Sequence, residues 1–191
     1  AAGEAYTVQL TVTAPGAVTP TGTVTVTDGD GNNATITLSG GAASTSLTST
    51  LAGSKTLTAS YSGDSNFTSA TDTEAHTVSK ATPTVTITSD SPDPSGLGDA
   101  YTVGVSVSGG GSSPTGTVTV SDGEGNNATI TLAGGTGSGT LTTQTSGNKI
   151  LTATYSGDAN YNSGTDTETH TVNQATPTVT IVSDAGDPSV V

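Results

Sequence analysis

The chain has 191 residues with only three basic and sixteen acidic side chains, a formal net charge of −13 at pH 7, and no cysteine. This charge excludes nucleic acid and anionic membrane surfaces as partners, because both need a cationic footprint on the protein. Without cysteine there is neither a disulfide framework nor a thiolate metal site. No apolar run approaches the length of about 18 residues that a membrane-spanning helix needs.

In chain order, short runs in which apolar residues alternate with Thr or Ser predict β-strands. Such alternation puts the apolar side chains on one face of a strand, and β-branched Thr suits the other face. The apolar positions are Val8, Leu10 and Val12; Val24 and Val26; Ile36 and Leu38; Leu47; Leu57, Ala59 and Tyr61; and Val78. Clusters of Gly, Asn, Asp and Ser at 28–33, 39–41 and 62–66 predict the turns. No segment has helical spacing, so we expect an all-β fold of antiparallel sandwiches.

The second half of the sequence repeats the first. The segment PTGTVTVTDGDGNNATITLSGG at 20–41 returns with few changes at 114–135. Tyr61 and Tyr155 mark a spacing of 94 residues, which suits a seven-stranded sandwich of about 100 residues. The sequence therefore predicts two tandem sandwiches.

The repeat is out of phase with the ends of the chain. A first strand carrying Val85 and Ile87 precedes the second sandwich, but the first sandwich has no such strand before it. A near copy of that strand, with Val179 and Ile181, stands at the C-terminus and precedes nothing. We therefore expect the first sandwich to lack a strand and the chain to carry a spare one.

This phase predicts three parts of the chain. They are a first domain at 1–80 without its own first strand, a second domain at 81–174, and a spare first strand at 175–191. Joined end to end, the termini would read DPSVV-AAGEAYTV, close to the internal DPSGLGDAYTV. Since the chain also starts without Met or a signal-like apolar region, we expect a processed or excised segment whose last residue leads into another copy.

Two motifs in each half resemble those of a known family. They are PTGTV at Pro20–Val24 and Pro114–Val118, and YSGD at Tyr61–Asp64 and Tyr155–Asp158, followed by ATPTVT. The chain resembles the bacterial Ig-like repeat modules of large surface and secreted proteins over essentially its whole length. The resemblance implies an extracellular or cell-surface β-sandwich of a prokaryote, used in tandem as a spacer, stalk or adhesin. It supplies no catalytic residues.

Catalysis is not expected from the residues either. Nucleophilic catalysis needs a base beside a nucleophile, and the only histidines are His76 and His170, at equivalent positions late in each unit. A repeated strand residue explains this pair better than two enzymes in tandem. We predict that the chain is not an enzyme.

The acidic turns are candidate calcium sites, because calcium takes several carboxylate, amide and carbonyl oxygens. The turn DGDGNN offers Asp28, Asp30 and Asn32, and its copy DGEGNN offers Asp122, Glu124 and Asn126. The alternative is a turn held by hydrogen bonds from backbone to side chain, without metal.

The junction SDSPDPSGLGD between the two units is a second calcium candidate. It gathers Asp90, Asp93 and Asp99, and part of it recurs as Asp184 and Asp187. A metal there would stiffen a string of modules, although the two prolines of the junction would stiffen it without one. Calcium is the only candidate cofactor, and the fold does not require one.

Lys55 and Lys149 are equivalent residues, and some Ig-like surface modules crosslink a lysine to Asn or Asp. That chemistry needs a buried lysine beside a buried acid. Both lysines stand next to Gly, Ser or Asn at the start of a strand, so we expect them to be exposed and not crosslinked.

Three Asn-X-Thr sequons are candidate glycosylation sites, at Asn33, Asn66 and Asn127. Two of them occupy the same turn in the two units. The many Thr and Ser residues on outer strand faces are an alternative, as sites for O-linked sugars.

The preferred hypothesis is a structural one, in which other copies of the chain are the partners. A unit without its first strand exposes a sheet edge and an apolar seam, which an extended segment fills by strand addition. The residues that we expect to fill it are Thr176, Pro177, Val179 and Ile181. The contact is head to tail and gives an open fibre, either along one long polypeptide or between separate subunits.

The rival hypothesis is an adhesin module that grips a glycan or protein. Binding surfaces are usually rich in exposed aromatics and Arg. This chain has five Tyr, one Phe, no Trp and no Arg, and several of the aromatics fall at core-like positions. A fibre or stalk is therefore favoured.

Overall fold

The computed structural model describes residues 1–182, and within them every regular element is a β-strand. Unit 1 contains β1 (Ala5–Thr11), β2 (Thr23–Thr27), β3 (Asn33–Thr37), β4 (Ala42–Thr48), β5 (Gly53–Tyr61) and β6 (Ala70–Val78). Unit 2 contains β7 (Thr84–Ser91), β8 (Ser95–Gly96), β9 (Ala100–Ser108), β10 (Thr117–Ser121), β11 (Asn127–Thr131), β12 (Thr136–Thr142), β13 (Gly147–Tyr155) and β14 (Gly164–Asn173). The predicted all-β class and tandem layout are confirmed. No helix among residues 1–182 is long and apolar enough to cross a membrane.

Unit 2 has the complete set of strands. One sheet has the order β12-β9-β7 and the other β11-β10-β13-β14-β8. All neighbours are antiparallel except the short β8, which lies parallel to β14. The chain leaves β7 at Ser91 and crosses to the opposite sheet by Ser95, so its first segment closes both sheets of the sandwich.

Unit 1 has the same sheets with one strand fewer in each. Its sheets are β1-β4 and β3-β2-β5-β6. In unit 2, β9 pairs with β7, but its counterpart β1 has no second neighbouring strand within residues 1–182. Likewise β14 pairs with β8, but its counterpart β6 has no second neighbouring strand in the same range. Both edges that face the missing strand are therefore open.

The core of unit 2 is more completely buried than that of unit 1. In β9, Val103 and Val105 are each 1% exposed, because β7 covers them. Their counterparts in β1, Val8 and Leu10, are only partly buried. Full burial of such a side chain is worth about 1.5–3 kcal/mol, so unit 1 forgoes part of that stabilisation.

The two units meet in a bonded joint. Within unit 1, the backbone N–H of Ala2 donates to the carbonyl of Ser79 at 2.8 Å, and Ala81, which follows unit 1, pairs with Tyr161 of unit 2. The N–H of Ala52 donates to Asn160 Oδ1 at 3.0 Å. Ala2 also joins the apolar cluster of unit 2, so the core of unit 2 extends into the joint.

Candidate functional site

An open groove runs between β1 and β6 in unit 1, where β7 lies in unit 2. The groove is lined along its length by Leu10, Val12, Val24, Leu57, Ala59, Tyr61, Ala70, Asp72 and Glu74. One section of it has a volume of about 240 Å³. Its floor is apolar and its rims are strand edges with unpaired backbone groups, which is the combination that strand addition requires.

In unit 2 the corresponding space is occupied by β7. Val85 and Ile87 point inward and are 8% and 7% exposed. Opposite them in β9 lie Val107 and Val105. The N–H of Ile87 donates to Asp166 Oδ2 of β14 at 2.8 Å. Thus β7 is held by a ladder on one side and by a carboxylate on the other.

The predicted spare strand lies against neither sandwich. We call Thr176–Val182 the donor segment; within it Val179, Ile181 and Val182 are 90%, 86% and 93% exposed. Thr176 and Pro177 are exposed as well. Such exposure of three β-branched apolar side chains is unfavourable in water. The rest of the predicted third part, including Asp184 and Asp187, lies outside the described residues.

Each YSGD turn is held by its aspartate. Asp158 Oδ2 accepts the N–H of Thr115 at 2.8 Å, and Asp158 Oδ1 accepts the N–H groups of Asn160 and Tyr161 at 2.8 and 2.9 Å. Burial raises the pKa of this carboxyl, but the hydrogen bonds outweigh it and lower the pKa to about 2. Asp64 makes the same bonds in unit 1, and they hold its pKa well below the ordinary value. The turns fix the end of β5 and of β13.

The acidic turns use their oxygens within the turn. Asp28 is 1% exposed; its Oδ1 accepts the N–H groups of Asp30 and Asn32, and its Oδ2 accepts Asn32 Nδ2 at 2.7 Å. In unit 2 the same bonds join Asp122, Glu124 and Asn126. These hydrogen bonds bring each set of three residues together within its turn, and calcium binding there stays a prediction.

The expectation that the two equivalent lysines are exposed is wrong. Lys55 is 9% and Lys149 6% exposed, because both occupy inward positions of β5 and β13. Lys55 Nζ pairs with Asp30, and Lys149 Nζ lies 2.7 Å from Glu124 Oε1. The lysines therefore anchor the acidic turns to the strands through ion pairs.

The junction brings together Asp90, Asp93 and a residue that the sequence did not suggest, His170 of β14. His170 is fully buried and stacks on Tyr101, with ring centroids 3.8 Å apart. Its Nδ1 lies 2.9 Å from Asp90 Oδ2 and 3.5 Å from Asp93 Oδ1. Asp99 lies outside this group, in the turn after β8. The sequence could have indicated the burial of His170, because its spacing of two from Val172 puts both side chains on the inward face of β14.

Ser95 completes a chain of polar groups through the same histidine. Its Oγ lies 2.9 Å from His170 Nε2, so hydroxyl, imidazole and the Asp90 carboxylate follow one another as in serine hydrolases. Ser95 is only 1% exposed, however, and a substrate carbonyl has no path to its oxygen. The arrangement is suited to holding β7 and β8 against β14.

The equivalent histidine of unit 1 lacks such partners. His76 stacks on Tyr6 at a centroid distance of 4.1 Å, but no carboxylate within residues 1–182 lies against it. The Tyr6 hydroxyl is buried without a hydrogen bond, whereas the Tyr101 hydroxyl bonds to Thr143. The polar end of the groove thus lacks hydrogen-bond partners, just as its apolar part lacks a covering strand.

The candidate glycosylation residues are all on the surface. Asn33 and Asn127 begin β3 and β11, and Asn66 lies in the turn before β6. The side chains of Asn33 and Asn127 donate weakly to the carbonyls of Gly31 and Gly125, at 3.3 and 3.4 Å. Glycosylation at these positions stays a prediction.

Comparison with known proteins identifies the repeat. The family profile described as bacterial Ig-like domain (group 3) matches residues 1–79 and 87–173, and no curated protein sequence matches. Invasin, a bacterial integrin-binding protein, is similar in structure, with 22% identity and a TM-score of 0.57 over 90% of this chain and 36% of its own. That similarity concerns the fold, and this chain spans about a third of the length of the invasin chain.

Two further solved structures are similar at lower scores. A tetra-tandem repeat from the extending region of a large adhesion protein has 20% identity and a TM-score of 0.48, over 89% of this chain and 50% of that one. The fibronectin(III)-like modules of Clostridium thermocellum CbhA have 18% identity and a TM-score of 0.42, over 91% and 87%. The profile matches cover most of the sequence in two successive copies, and the chain belongs to the bacterial Ig-like domain family, group 3.

Proposed function

We propose that this chain is a structural segment of a bacterial extracellular fibre or cell-surface stalk, and not an enzyme. Its units are joined head to tail, in that a strand of the β7 type fills the groove of unit 1. The observation that carries the proposal is the open groove, which lies where β7 lies in unit 2. The exposed donor segment, whose sequence nearly repeats that of β7, supplies the matching strand.

The docking geometry follows from unit 2. With β1 aligned to β9, Val179 would pair with Val12 and Ile181 with Leu10, as Val85 and Ile87 pair with Val107 and Val105. Burial of the two side chains contributes about 1.5–3 kcal/mol each. Each ladder hydrogen bond adds about 0.5–1.5 kcal/mol. Together, the burial and the hydrogen bonds of a segment of this length provide enough free energy for stable binding.

Two positions make the groove of unit 1 tighter than the corresponding space in unit 2. Gly164 leaves room for β7, since a Cβ there would lie 3.0 Å from Val85 Cγ2, but unit 1 has Ala70 at this point. Gly104 leaves room for the bulge of β7, where unit 1 has Gln9. The docked strand must shift by a few tenths of an ångström at Ala70 and displace the flexible Gln9 side chain.

The surface supports a stalk over a binding module. Tyr61, Tyr101, Tyr155 and Tyr161 are at most 5% exposed, and Tyr6 and Phe67 are partly buried against the core of unit 1. All six aromatic residues are thus used for packing. The interfaces of binding proteins rely on exposed aromatics and Arg, so we assign ligand binding in such a fibre to other domains.

The test is static light scattering of residues 1–191 over a range of concentrations, beside two double variants. Val179→Asp/Ile181→Asp puts charges on the inward face of the donor segment, and Thr178→Asp/Thr180→Asp puts the same charges on its outward face. If separate subunits exchange the segment, the average mass rises with concentration for the parent chain and the outward variant, but not for the inward variant.

A monomer in all three cases would direct the test to a continuous polypeptide. Two copies should then be fused end to end. In this fusion, unit 1 of the second copy should unfold at a higher temperature than unit 1 of the single chain. The Val179→Asp/Ile181→Asp change in the first copy should remove this increase. If neither polymerisation nor stabilisation occurs, strand complementation is wrong.

A further inference from the structure

The group formed by Asp90, Asp93 and His170, here called the histidine cluster, directs two carboxylates at one ring nitrogen. Its three ligand atoms all lie within 4.8 Å of one another. Two separate carboxylates point at a single imidazole nitrogen, Nδ1, which carries at most one proton. Only one of them can accept that proton in a short hydrogen bond, and Asp90 does so at 2.9 Å while Asp93 lies at 3.5 Å.

The spacing suits a tetrahedral metal ion. Bonds of about 2.0–2.1 Å from Zn²⁺ to nitrogen and oxygen put tetrahedral ligand atoms about 3.3 Å apart. The distances from Nδ1 to the two carboxylate oxygens, 2.9 and 3.5 Å, lie on either side of this value. A nitrogen ligand and two oxygens favour zinc and its first-row neighbours. Calcium prefers six to eight oxygen ligands.

The surroundings of the cluster hold its side chains in place. His170 Nε2 bonds to Ser95 Oγ at 2.9 Å, and Asp93 Oδ1 accepts the N–H of Thr171 at 2.9 Å. Such outer contacts orient metal ligands and fix the tautomer of a histidine. The Asp93 side chain is 36% exposed, so the cluster opens to solvent on one side, where an ion and its water enter.

The carboxylates around the cluster have no lysine partner among residues 1–182. Asp166 and Glu168 lie on the same strand as His170 and add two carboxylates to those of Asp90 and Asp93, so that the negative charges repel one another. The lysines of the chain are engaged elsewhere: Lys55 with Asp30, Lys149 with Glu124, and Lys80 with the carbonyl of Asp158. A divalent cation would offset this repulsion.

We propose that Asp90, Asp93 and His170 bind a divalent first-row transition metal ion of the Zn²⁺ class, with water in the remaining position. The ion takes the lone pair of Nδ1, and the ring proton moves from Nδ1 to Nε2 by exchange with solvent, so the imidazole stays neutral. Nε2–H then donates to Ser95, whose hydroxyl changes from donor to acceptor. Asp90 is the penultimate residue of β7 and His170 lies in β14, so the ion ties the first strand of unit 2 to the opposite sheet.

The experiment is a titration of the metal-stripped chain of residues 1–191 with ZnCl₂, followed by calorimetry and by NMR of the imidazole nitrogens. We expect one ion per chain, a shift of the His170 Nδ1 resonance with little change at His76, and a higher melting temperature of unit 2. Tetrahedral ligation should also give Co²⁺ its intense visible absorption. CaCl₂ at the same concentration should reproduce none of these effects.

Two variants decide whether the cluster is responsible. Asp93→Asn keeps the acceptor for the Thr171 N–H and is partly exposed, so it should fold, yet it should weaken Zn²⁺ binding roughly tenfold or more, because even outer-shell partners cost about 10–100-fold. Asp99→Asn, in the adjoining turn, should change nothing. Unchanged binding by Asp93→Asn, or a shift at His76 alone, would mean that an ion binds elsewhere and the proposal is wrong.

Discussion

The carboxylate of Asp158 accepts several hydrogen bonds that hold two segments of the backbone together. Its two oxygens receive three backbone N–H groups and the Thr115 hydroxyl, and so connect the start of β10 to the turn after β13. Hydrogen bonds to a charged acceptor are worth more than neutral ones. The folded protein therefore stabilises the ionised form of Asp158.

The acid sensitivity of unit 2 should follow from this carboxylate. Its folded pKa, about 2, lies below the ordinary value of 3.8. The contribution is therefore complete above the unfolded pKa and is lost as the pH falls from about 4 to about 2. We expect Asp158→Asn to lower the free energy of unfolding of unit 2 by about 1–3 kcal/mol at neutral pH. The loss should vanish near pH 2.

The measurement is urea unfolding followed through unit 2 amide resonances at several pH values. Asp72→Asn is the matched control, because no backbone N–H among residues 1–182 donates to that carboxylate. A parent protein and an Asp158→Asn variant with parallel pH dependences would contradict the argument.

At the scale of the element, β6 and β14 show how one strand sequence behaves with and without a partner. Both carry an aspartate as the third residue that pairs with the preceding strand. Asp166 accepts the N–H of Ile87 at 2.8 Å. Asp72, its counterpart, lines the empty groove. The aspartate at this position thus accepts a backbone hydrogen bond in unit 2, whereas in unit 1 its carboxylate faces the groove, where it could accept one from a docked strand.

Removal of each carboxylate should therefore have a different effect. Asp166→Ala leaves the N–H of Ile87 without its acceptor, and we expect unit 2 to lose about 1–3 kcal/mol. Hydrogen exchange of the Ile87 amide should accelerate accordingly. Asp72→Ala should leave the isolated unit 1 unchanged but weaken the head-to-tail contact. If Asp72→Ala destabilises unit 1 by as much as Asp166→Ala does unit 2, the groove is not a docking site.

Strands were predictable from the sequence because their period of two is a local property. Val24, Val26 and Leu57 lie inward as the alternation requires. The burial of Lys55 was predictable by the same rule, since it alternates with Leu57, but its Gly and Ser neighbours suggested exposure. The partners of His170 could not be predicted in this way, because Asp90 and Asp93 approach it only after the chain crosses between sheets.

At the scale of the whole molecule, the joint between the units determines whether the pair is stiff. Asn160 lies at its centre: Oδ1 accepts the N–H of Ala52, and Nδ2 donates to Ser112 at 3.3 Å. Tyr161, beside it, is 1% exposed, and its hydroxyl donates to carbonyls of the Gly109–Ser112 loop. A fibre that transmits force benefits from such a joint, because each unit then keeps its orientation relative to the next.

The joint also predicts how successive copies meet. Asn66 and Phe67 of unit 1 occupy the positions of Asn160 and Tyr161, so in a head-to-tail fibre they would face the preceding copy. A glycan on Asn66 would block this contact, while glycans on Asn33 and Asn127 would not. We therefore expect Asn66 to be unmodified in assembled fibres even where the other two sequons are occupied, which mass spectrometry of tryptic or chymotryptic peptides can check.

Substitution of the two asparagines separates the internal joint from the external one. Asn160→Ala leaves the Ala52 N–H unpaired, so we expect the units to reorient more freely and their alignment tensors, measured by residual dipolar couplings, to diverge. Asn66→Ala should leave these couplings unchanged, because its side chain makes no contact within the described chain that the joint needs. It should instead lower the mass of assemblies or the stability gained on fusion. Identical tensors in the parent and Asn160→Ala would show that the apolar contact of Ala2 and Val78 with unit 2 is sufficient to hold the joint.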